Sequence, residues 1–151
     1  MVMVEPTAEE REVHRHHRHS WMTAVPLLTF VVILYVVLAS AGCDFTLTRF
    51  SITMPSGGVW QITVGDALLT IALFVLFVEI LKSTRTGGSS VVDHALSMIV
   101  FVVCIILFLV WDKAATSLFF LIMLTTLIDV IAGFSVTIRA ARRDYSVGGD
   151  N

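Results

Sequence analysis

The sequence predicts an all-α membrane protein, an antiparallel bundle of four transmembrane helices with a small β-hairpin on its outer face between helices 1 and 2. Three observations lead to this prediction. Hydrophobic residues make up 56% of the 151-residue chain, and the mean hydropathy is +0.87. Short polar connections separate four apolar stretches, and most of the basic residues lie on one side of them. The stretches are residues 21–41, 61–81, 91–111 and 114–138.

Each apolar stretch is long enough to cross a bilayer, because about 20 residues at about 1.5 Å per residue span a hydrocarbon core of about 30 Å. Residues 21–138 therefore form one membrane domain between two tails, 1–20 and 139–151. Eight of the ten basic residues precede the first stretch, lie between the second and third, or follow the fourth. Cytoplasmic loops are enriched in Lys and Arg, so both termini are expected in the cytoplasm.

The first tail is rich in histidine and arginine. Thr7 and Glu10 have the spacing of a capping box, which predicts a helix from about Ala8. The histidines at 14, 16, 17 and 19 are not spaced four apart, and no carboxylate or cysteine completes a ligand set. Anionic membrane lipids are the expected partner of this tail, and no metal site is expected.

The segment between the first two stretches has the pattern of a hairpin. Residues 45–54 and 59–64 are rich in β-branched and aromatic side chains, and Pro-Ser-Gly-Gly at 55–58 is a turn signal. A hairpin on the outer membrane face would expose Phe50, Ile52 and Trp60. These three residues are the predicted partner-binding surface.

Asp129 is the most suggestive single residue, because a carboxylate inside an apolar helix is costly and should face the bundle. Thr125 and Thr126 lie on the same face of the predicted helix. Counting along the helices puts Thr70 and Cys104 at a similar depth, near the bilayer midplane, as possible hydrogen-bond partners. Two interpretations stay open: a proton or cation relay, and a polar clamp that fixes helix packing.

Four further charged or titratable residues are expected at the inner interface. Glu79 and Lys82 are spaced i,i+3 and can pair on one helix. Asp93 and His94 begin the third stretch, where a carboxylate favours the helix amino terminus.

The two cysteines are predicted to be too far apart for a disulfide, since Cys43 lies outside the first stretch and Cys104 lies near the middle of the third. Ala-Gly-Cys at 41–43, after a basic tail and an apolar run, also fits a lipoprotein signal. In that alternative, cleavage makes Cys43 a lipidated amino terminus and leaves three spans.

Three runs carry a family resemblance: Phe-Val-Glu-Ile-Leu-Lys at 77–82, Val-Asp-His-Ala-Leu-Ser at 92–97, and Leu-Ile-Asp-Val-Ile-Ala-Gly-Phe-Ser-Val at 127–136. Across residues 24–144 the chain resembles a family of small four-helix inner-membrane proteins of alphaproteobacterial type. In helix count and an acid near the end of span two, it is also similar to the phosphate-starvation-inducible E family. Neither family has an assigned activity, so the resemblance implies only a bacterial inner-membrane location.

The function expected from these patterns is that of a non-enzymatic accessory or assembly subunit, which forms homo-oligomers or joins a larger membrane complex. The alternative is a small proton- or ion-coupled transporter or channel that uses Asp129. No nucleophile–base pair lines up at one depth, so no enzyme and no cofactor are expected. The basic clusters are explained by membrane topology, and no nucleic-acid partner is expected.

Overall fold

A computed structural model describes the backbone of residues 25–85 and 90–147, and the side chains of residues 25–83, 94–136 and 138. It is mostly helical, and a two-stranded antiparallel hairpin lies between the first two described helices, as predicted. In chain order the elements are α1 (Leu28–Ser40), β1 (Thr48–Thr53), β2 (Val59–Thr63), α2 (Val64–Arg85), α3 (Ser90–Val110), a 3₁₀ turn (Asp112–Ala114) and α4 (Ser117–Val147).

Helix α1 is shorter than the predicted stretch at 21–41. It begins after Pro26, whose carbonyl accepts the Thr29 amide at 3.0 Å and whose missing N–H suits the start of a helix. It ends at Ser40, and Gly42, with a φ of 77°, lets the Cys43 amide reach back to the Leu38 carbonyl. Residues 21–24 and the predicted helix from Ala8 lie outside the described residues.

The hairpin has the predicted turn. Gly57 adopts a φ of 83°, and the Met54 amide donates to the Gly58 carbonyl at 2.8 Å. The register pairs Phe50 with Ile62 and Ile52 with Trp60 across the strands. Paired residues share a face of the sheet, so these four apolar side chains form one face of the hairpin.

The four described helices alternate in direction, as three contacts between distant residues establish. Leu27, just before α1, contacts Glu79 near the end of α2. The start of α2 lies against the start of α4, where Gly65 packs on Leu118. His94, near the start of α3, packs on Gly133 in the second half of α4. The bundle therefore has a hairpin end, which holds the starts of α2 and α4, and an opposite end.

Two of the helices contain stretches long and apolar enough to cross a membrane by length and composition, Val64–Ser83 and Ser117–Val136. The other two apolar segments, Leu28–Ser40 and His94–Val110, are shorter. Helix α4 continues nine residues past 138, the predicted end of the fourth membrane span, because residues 139–147 contain alanines and arginines and no helix breaker. The core of the bundle takes residues from all four described helices, with Tyr35, Ala72, Cys104, Phe119 and Ile122 all buried.

Candidate functional site

Polar side chains from three helices meet at the end of the bundle opposite the hairpin, in a group that we call the polar cluster. They line a cavity of about 10 Å³, which is about the space that one water requires. Four of them are at most 6% exposed: Glu79, His94, Ser97 and Asp129. The cluster consists of Glu79, Lys82 and Ser83 of α2, His94 and Ser97 of α3, and Asp129 of α4.

Glu79 connects the polar cluster to the start of α1. Its Oε2 accepts the Leu27 amide at 2.8 Å, and its Oε1 lies 3.3 Å from the Lys82 Nζ. The first amides of a helix lack partners within the helix, and their positive end favours a carboxylate. Glu79 therefore caps α1 from another helix. The pairing with Lys82 was predicted, whereas the contact with Leu27 joins residues 52 positions apart and leaves no local signal.

Asp129 belongs to this cluster. Its side chain is hydrogen-bonded to Ser97, and it lines the same small cavity as Glu79, Lys82 and His94. Asp129 packs beside the end of α2 and the start of α3, so it lies together with residues that were predicted as a separate group at the inner interface.

Thr70 and Cys104, which were predicted as hydrogen-bond partners of Asp129, have other partners. Thr70 is exposed, and its hydroxyl donates to the Asp66 carbonyl at 2.7 Å. Cys104 is fully buried and hydrogen-bonded to Thr126. The prediction that Thr70 or Cys104 could bond Asp129 is wrong, because equal depth does not place two residues on facing sides of their helices.

Thr125 and Thr126 are buried on α4, as their position beside Asp129 suggested. Their hydroxyls donate to the carbonyls of Ile122 and Met123 at 2.6 and 2.7 Å. A hydrogen bond to a main-chain carbonyl of this kind gives the threonine hydroxyl a partner within its own helix. The two threonines are thus packing residues of α4. The predicted interface residue Asp93 lies outside the described side chains.

Gly133 makes room for the His94 ring. A Cβ built at position 133 would lie 2.6 Å from His94 Cε1 and 2.9 Å from Cγ, which is closer than real Cβ contacts. The ring also lies 6.2 Å from that of Phe134, measured between centroids. Glycine at 133 is therefore required for the position of His94 in the polar cluster.

The substitution Gly133→Ala should lower the free energy of unfolding by about 1–3 kcal/mol, because overpacking forces the ring or the backbone to shift. The measurement is a denaturant titration of the purified protein in mixed micelles. Gly58→Ala is the matched control, since a Cβ there meets only the Ser56 Oγ at 3.7 Å. Equal stability of the two variants would contradict the close packing.

Tyr35 organises the hairpin end. It is fully buried, and its hydroxyl donates to the Lys113 carbonyl at 2.8 Å and lies 2.9 Å from the Thr116 Oγ1. Its ring stacks on Phe45 at 4.9 Å between centroids and contacts Phe119 at 4.7 Å. Tyr35 thus joins α1 to the segment before the hairpin and to the turn before α4.

The hairpin presents an apolar face that is anchored at its base. Phe50, Ile52 and Trp60 are 70, 47 and 51% exposed. The backbone fixes the hairpin to the bundle, because the Val64 and Gly65 amides donate to the carbonyls of Leu47 and Phe45. These are the three residues predicted as a partner surface, and the structure puts them side by side.

Among the described residues, no group of three or more His, Cys, Asp or Glu side chains could hold a metal ion. Cys43 and Cys104 are both free. The histidines at 14, 16, 17 and 19 lie outside the described part of the chain.

Comparison with protein-family models, with curated proteins and with solved structures gave no match to this chain. The family resemblance therefore stays a prediction, and the function is inferred from the residues themselves.

Proposed function

We propose that the chain is a non-enzymatic integral membrane subunit that assembles with another membrane protein through its hairpin. Its four helices cross a bacterial inner membrane, and both termini are cytoplasmic. The observation that carries the proposal is the exposed apolar face of Phe50, Ile52 and Trp60 on a hairpin anchored to the bundle.

The distribution of exposed apolar side chains supports the membrane location. In the apolar 18-residue part of Val64–Ser83, only 28% of the residues are buried inside the bundle. In the corresponding part of Ser117–Val136, 44% are buried. A core helix of a soluble protein is mostly buried, whereas here residues such as Phe74, Leu109 and Val110 are at least 66% exposed. Lipid is the solvent that such a surface suits.

The hairpin supports assembly with a partner. Aromatic and aliphatic residues in a contiguous exposed patch are typical of interaction sites, and tryptophan is enriched at binding hot spots. Residues on the other face of the sheet are mainly polar, with Ser51 paired to Gln61 and Thr53 paired to Val59. The hairpin is therefore apolar chiefly on the face that carries Trp60.

The test is affinity purification of the native protein from membranes in mild detergent, with identification of the proteins that copurify. The triple variant Phe50→Ser, Ile52→Thr, Trp60→Ser should lose at least about 90% of the copurified partner, the order expected when hot spots of about 2 kcal/mol each are removed. Val59→Ser is the matched control, because Val59 is 60% exposed on the opposite face. Equal recovery with both variants contradicts the proposal, and recovery of a homo-oligomer alone replaces the partner by a second copy.

Topology is tested by the two free cysteines. A membrane-impermeant maleimide added to spheroplasts should label Cys43, which is partly exposed at the hairpin end, and should leave Cys104, which is fully buried, unlabelled. Cys43→Ser should abolish the labelling. Labelling only after the membrane is opened would place the hairpin end in the cytoplasm. The intact mass of the same sample tests the lipoprotein alternative, because lipidation adds acyl mass to Cys43 and removes residues 1–42.

The polar cluster favours a second candidate function, a small proton- or ion-coupled transporter or channel that uses Asp129. Four buried polar side chains, contributed by α2, α3 and α4, make a site where a proton could be exchanged, and ionisable residues within membranes often serve this purpose. In proteoliposomes, Asp129→Asn should then stop proton flux and leave assembly intact. Asp112→Asn, an exposed acid at the hairpin end, is the control. Absence of flux in the wild type, with loss of assembly in Asp129→Asn, would leave the cluster as a packing clamp.

A further inference from the structure

A large cavity opens at the hairpin end of the bundle, between the end of α1 and the starts of α2 and α4. Its volume of about 710 Å³ lies in the range of ligand pockets, about 300–1,000 Å³. It is distinct from the polar cluster and from the apolar face of the hairpin. Its lining changes from polar to apolar along the bundle axis.

Two carboxylates form part of the polar rim. Asp44 Oδ1 accepts the Thr46 amide at 2.9 Å and the Thr46 hydroxyl at 2.6 Å. Asp66 Oδ2 accepts the Thr63 amide at 2.9 Å and the Thr63 hydroxyl at 2.8 Å. The described residues donate no hydrogen bond to the second oxygen of either carboxylate, so each has an oxygen free to accept a hydrogen bond from a ligand.

The Asp44 carboxylate is negatively charged at neutral pH. The hydroxyl and amide of Thr46 donate to it and hold the pKa of Asp44 below its ordinary value. An ammonium group that carries N–H donors would complement this part of the rim.

The same cavity has a positive part. Lys113 lines it and makes no ion pair with any described residue. Ser117 and Leu118 also line it, and among the described residues their amides, the first of α4, donate no hydrogen bond. A lysine beside the amino terminus of a 31-residue helix suits a phosphate group.

Leucines lie one helical turn deeper on both long helices. Leu69 follows Asp66 by three residues and Leu121 follows Ser117 by four, and all four residues line the cavity. One turn of helix is about 5.4 Å, so the apolar wall begins about that far below the polar rim. A phospholipid has the same order of groups, with ammonium and phosphate above its acyl chains.

We propose that this cavity binds a phospholipid whose headgroup carries a primary ammonium and a phosphodiester, of the phosphatidylethanolamine class. The ammonium donates to the free oxygens of Asp44 and Asp66, and the phosphate contacts Lys113 and the first amides of α4. The acyl chains lie against Leu69 and Leu121. The inference depends on the membrane location proposed above and is independent of the partner.

The test is native mass spectrometry of the detergent-purified protein, titrated with phosphatidylethanolamine, phosphatidylcholine or phosphatidylglycerol. Phosphatidylethanolamine should bind about tenfold more tightly than the other two, the order that charge-assisted hydrogen bonds give. Phosphatidylcholine should bind less tightly because its trimethylated ammonium has no N–H to donate. Phosphatidylglycerol should bind less tightly because its headgroup carries no positive charge. This comparison uses the wild-type protein and depends on no variant.

Variants then locate the site. Asp44→Asn with Asp66→Asn should lower phosphatidylethanolamine binding about tenfold and should not weaken the binding of phosphatidylglycerol, which is anionic. Lys113→Gln should weaken the binding of all three lipids, because each carries the phosphate. Asp112 is next to Lys113 in the sequence but does not line the cavity. The variant Asp112→Asn should therefore bind all three lipids like the wild type.

Equal binding of the three lipids by the wild type, or unchanged binding by the Asp44 and Asp66 double variant, would mean that the lipid is adventitious and would overturn the proposal. If the double variant still copurifies with its protein partner, the proposed subunit function stands without the lipid site. A wild-type protein that sodium carbonate extracts from membranes would overturn both, because neither holds outside a bilayer.

Discussion

Replacing Tyr35 by alanine is expected to lower the free energy of unfolding by about 3–5 kcal/mol, as for other buried aromatic residues. The side chain is fully buried, and its loss would leave a cavity between the rings of Phe45 and Phe119. It would also leave the Lys113 carbonyl without its hydrogen-bond donor. The effect should be measured as the shift of the unfolding midpoint in a denaturant titration in mixed micelles.

Tyr35→Phe separates packing from hydrogen bonding. It keeps the ring and removes the hydroxyl, so the loss should be about 0.5–1.5 kcal/mol. The alanine variant should additionally loosen the hairpin, because Phe45 stacks on Tyr35 and its carbonyl accepts the Gly65 amide. Faster proteolysis within residues 43–63 would report this loosening. Equal stabilities of the alanine and phenylalanine variants would show that the ring contributes nothing to the fold.

Much of the fold could be predicted from the sequence because the signals are local. The order of helices and hairpin follows from composition, the turn at 55–58 from its glycines, and the pairing of Glu79 with Lys82 from their spacing. The full length of α4 could not be predicted from hydropathy, because hydropathy falls after Ile138 while helix propensity does not.

The polar cluster could be predicted only in part. Asp129, Glu79, Lys82 and His94 were each chosen from the sequence, but in two separate groups, because depth was counted from the ends of the apolar stretches. The depth of a residue along a helix does not determine which side of the helix it faces. The contact of His94 with Gly133 depends on both the depth and the facing side of each residue. Tyr35 was missed for a similar reason, since its partners Lys113 and Thr116 are 78 and 81 residues away.

Replacing Glu79 by alanine is expected to lower the free energy of unfolding by about 3 kcal/mol, at the lower end of the range for a broken buried ion pair. The carboxylate is the acceptor for the Leu27 amide and the ion-pair partner of Lys82. The lower end is expected because the Lys82 side chain is 24% exposed and its ammonium can turn toward water or headgroups. The measurement is the same titration in mixed micelles.

Glu79→Gln is the matched control, because its amide oxygen can still accept the Leu27 amide while the charge is lost. If capping of α1 is the main contribution, the glutamine variant stays close to the wild type and the Leu27 amide stays protected from hydrogen exchange. If the charge is the main contribution, the two variants lose similar stability and only the alanine variant exposes Leu27. Unchanged stability in the alanine variant would contradict both, since a partly buried amide and a lysine would then lose their shared partner without cost. The glutamine result also bears on Asp129, because it removes a negative charge that acts on that carboxylate and leaves its hydrogen bond with Ser97 in place. A change of proton flux in Glu79→Gln without a change of stability would favour the transporter over the packing clamp.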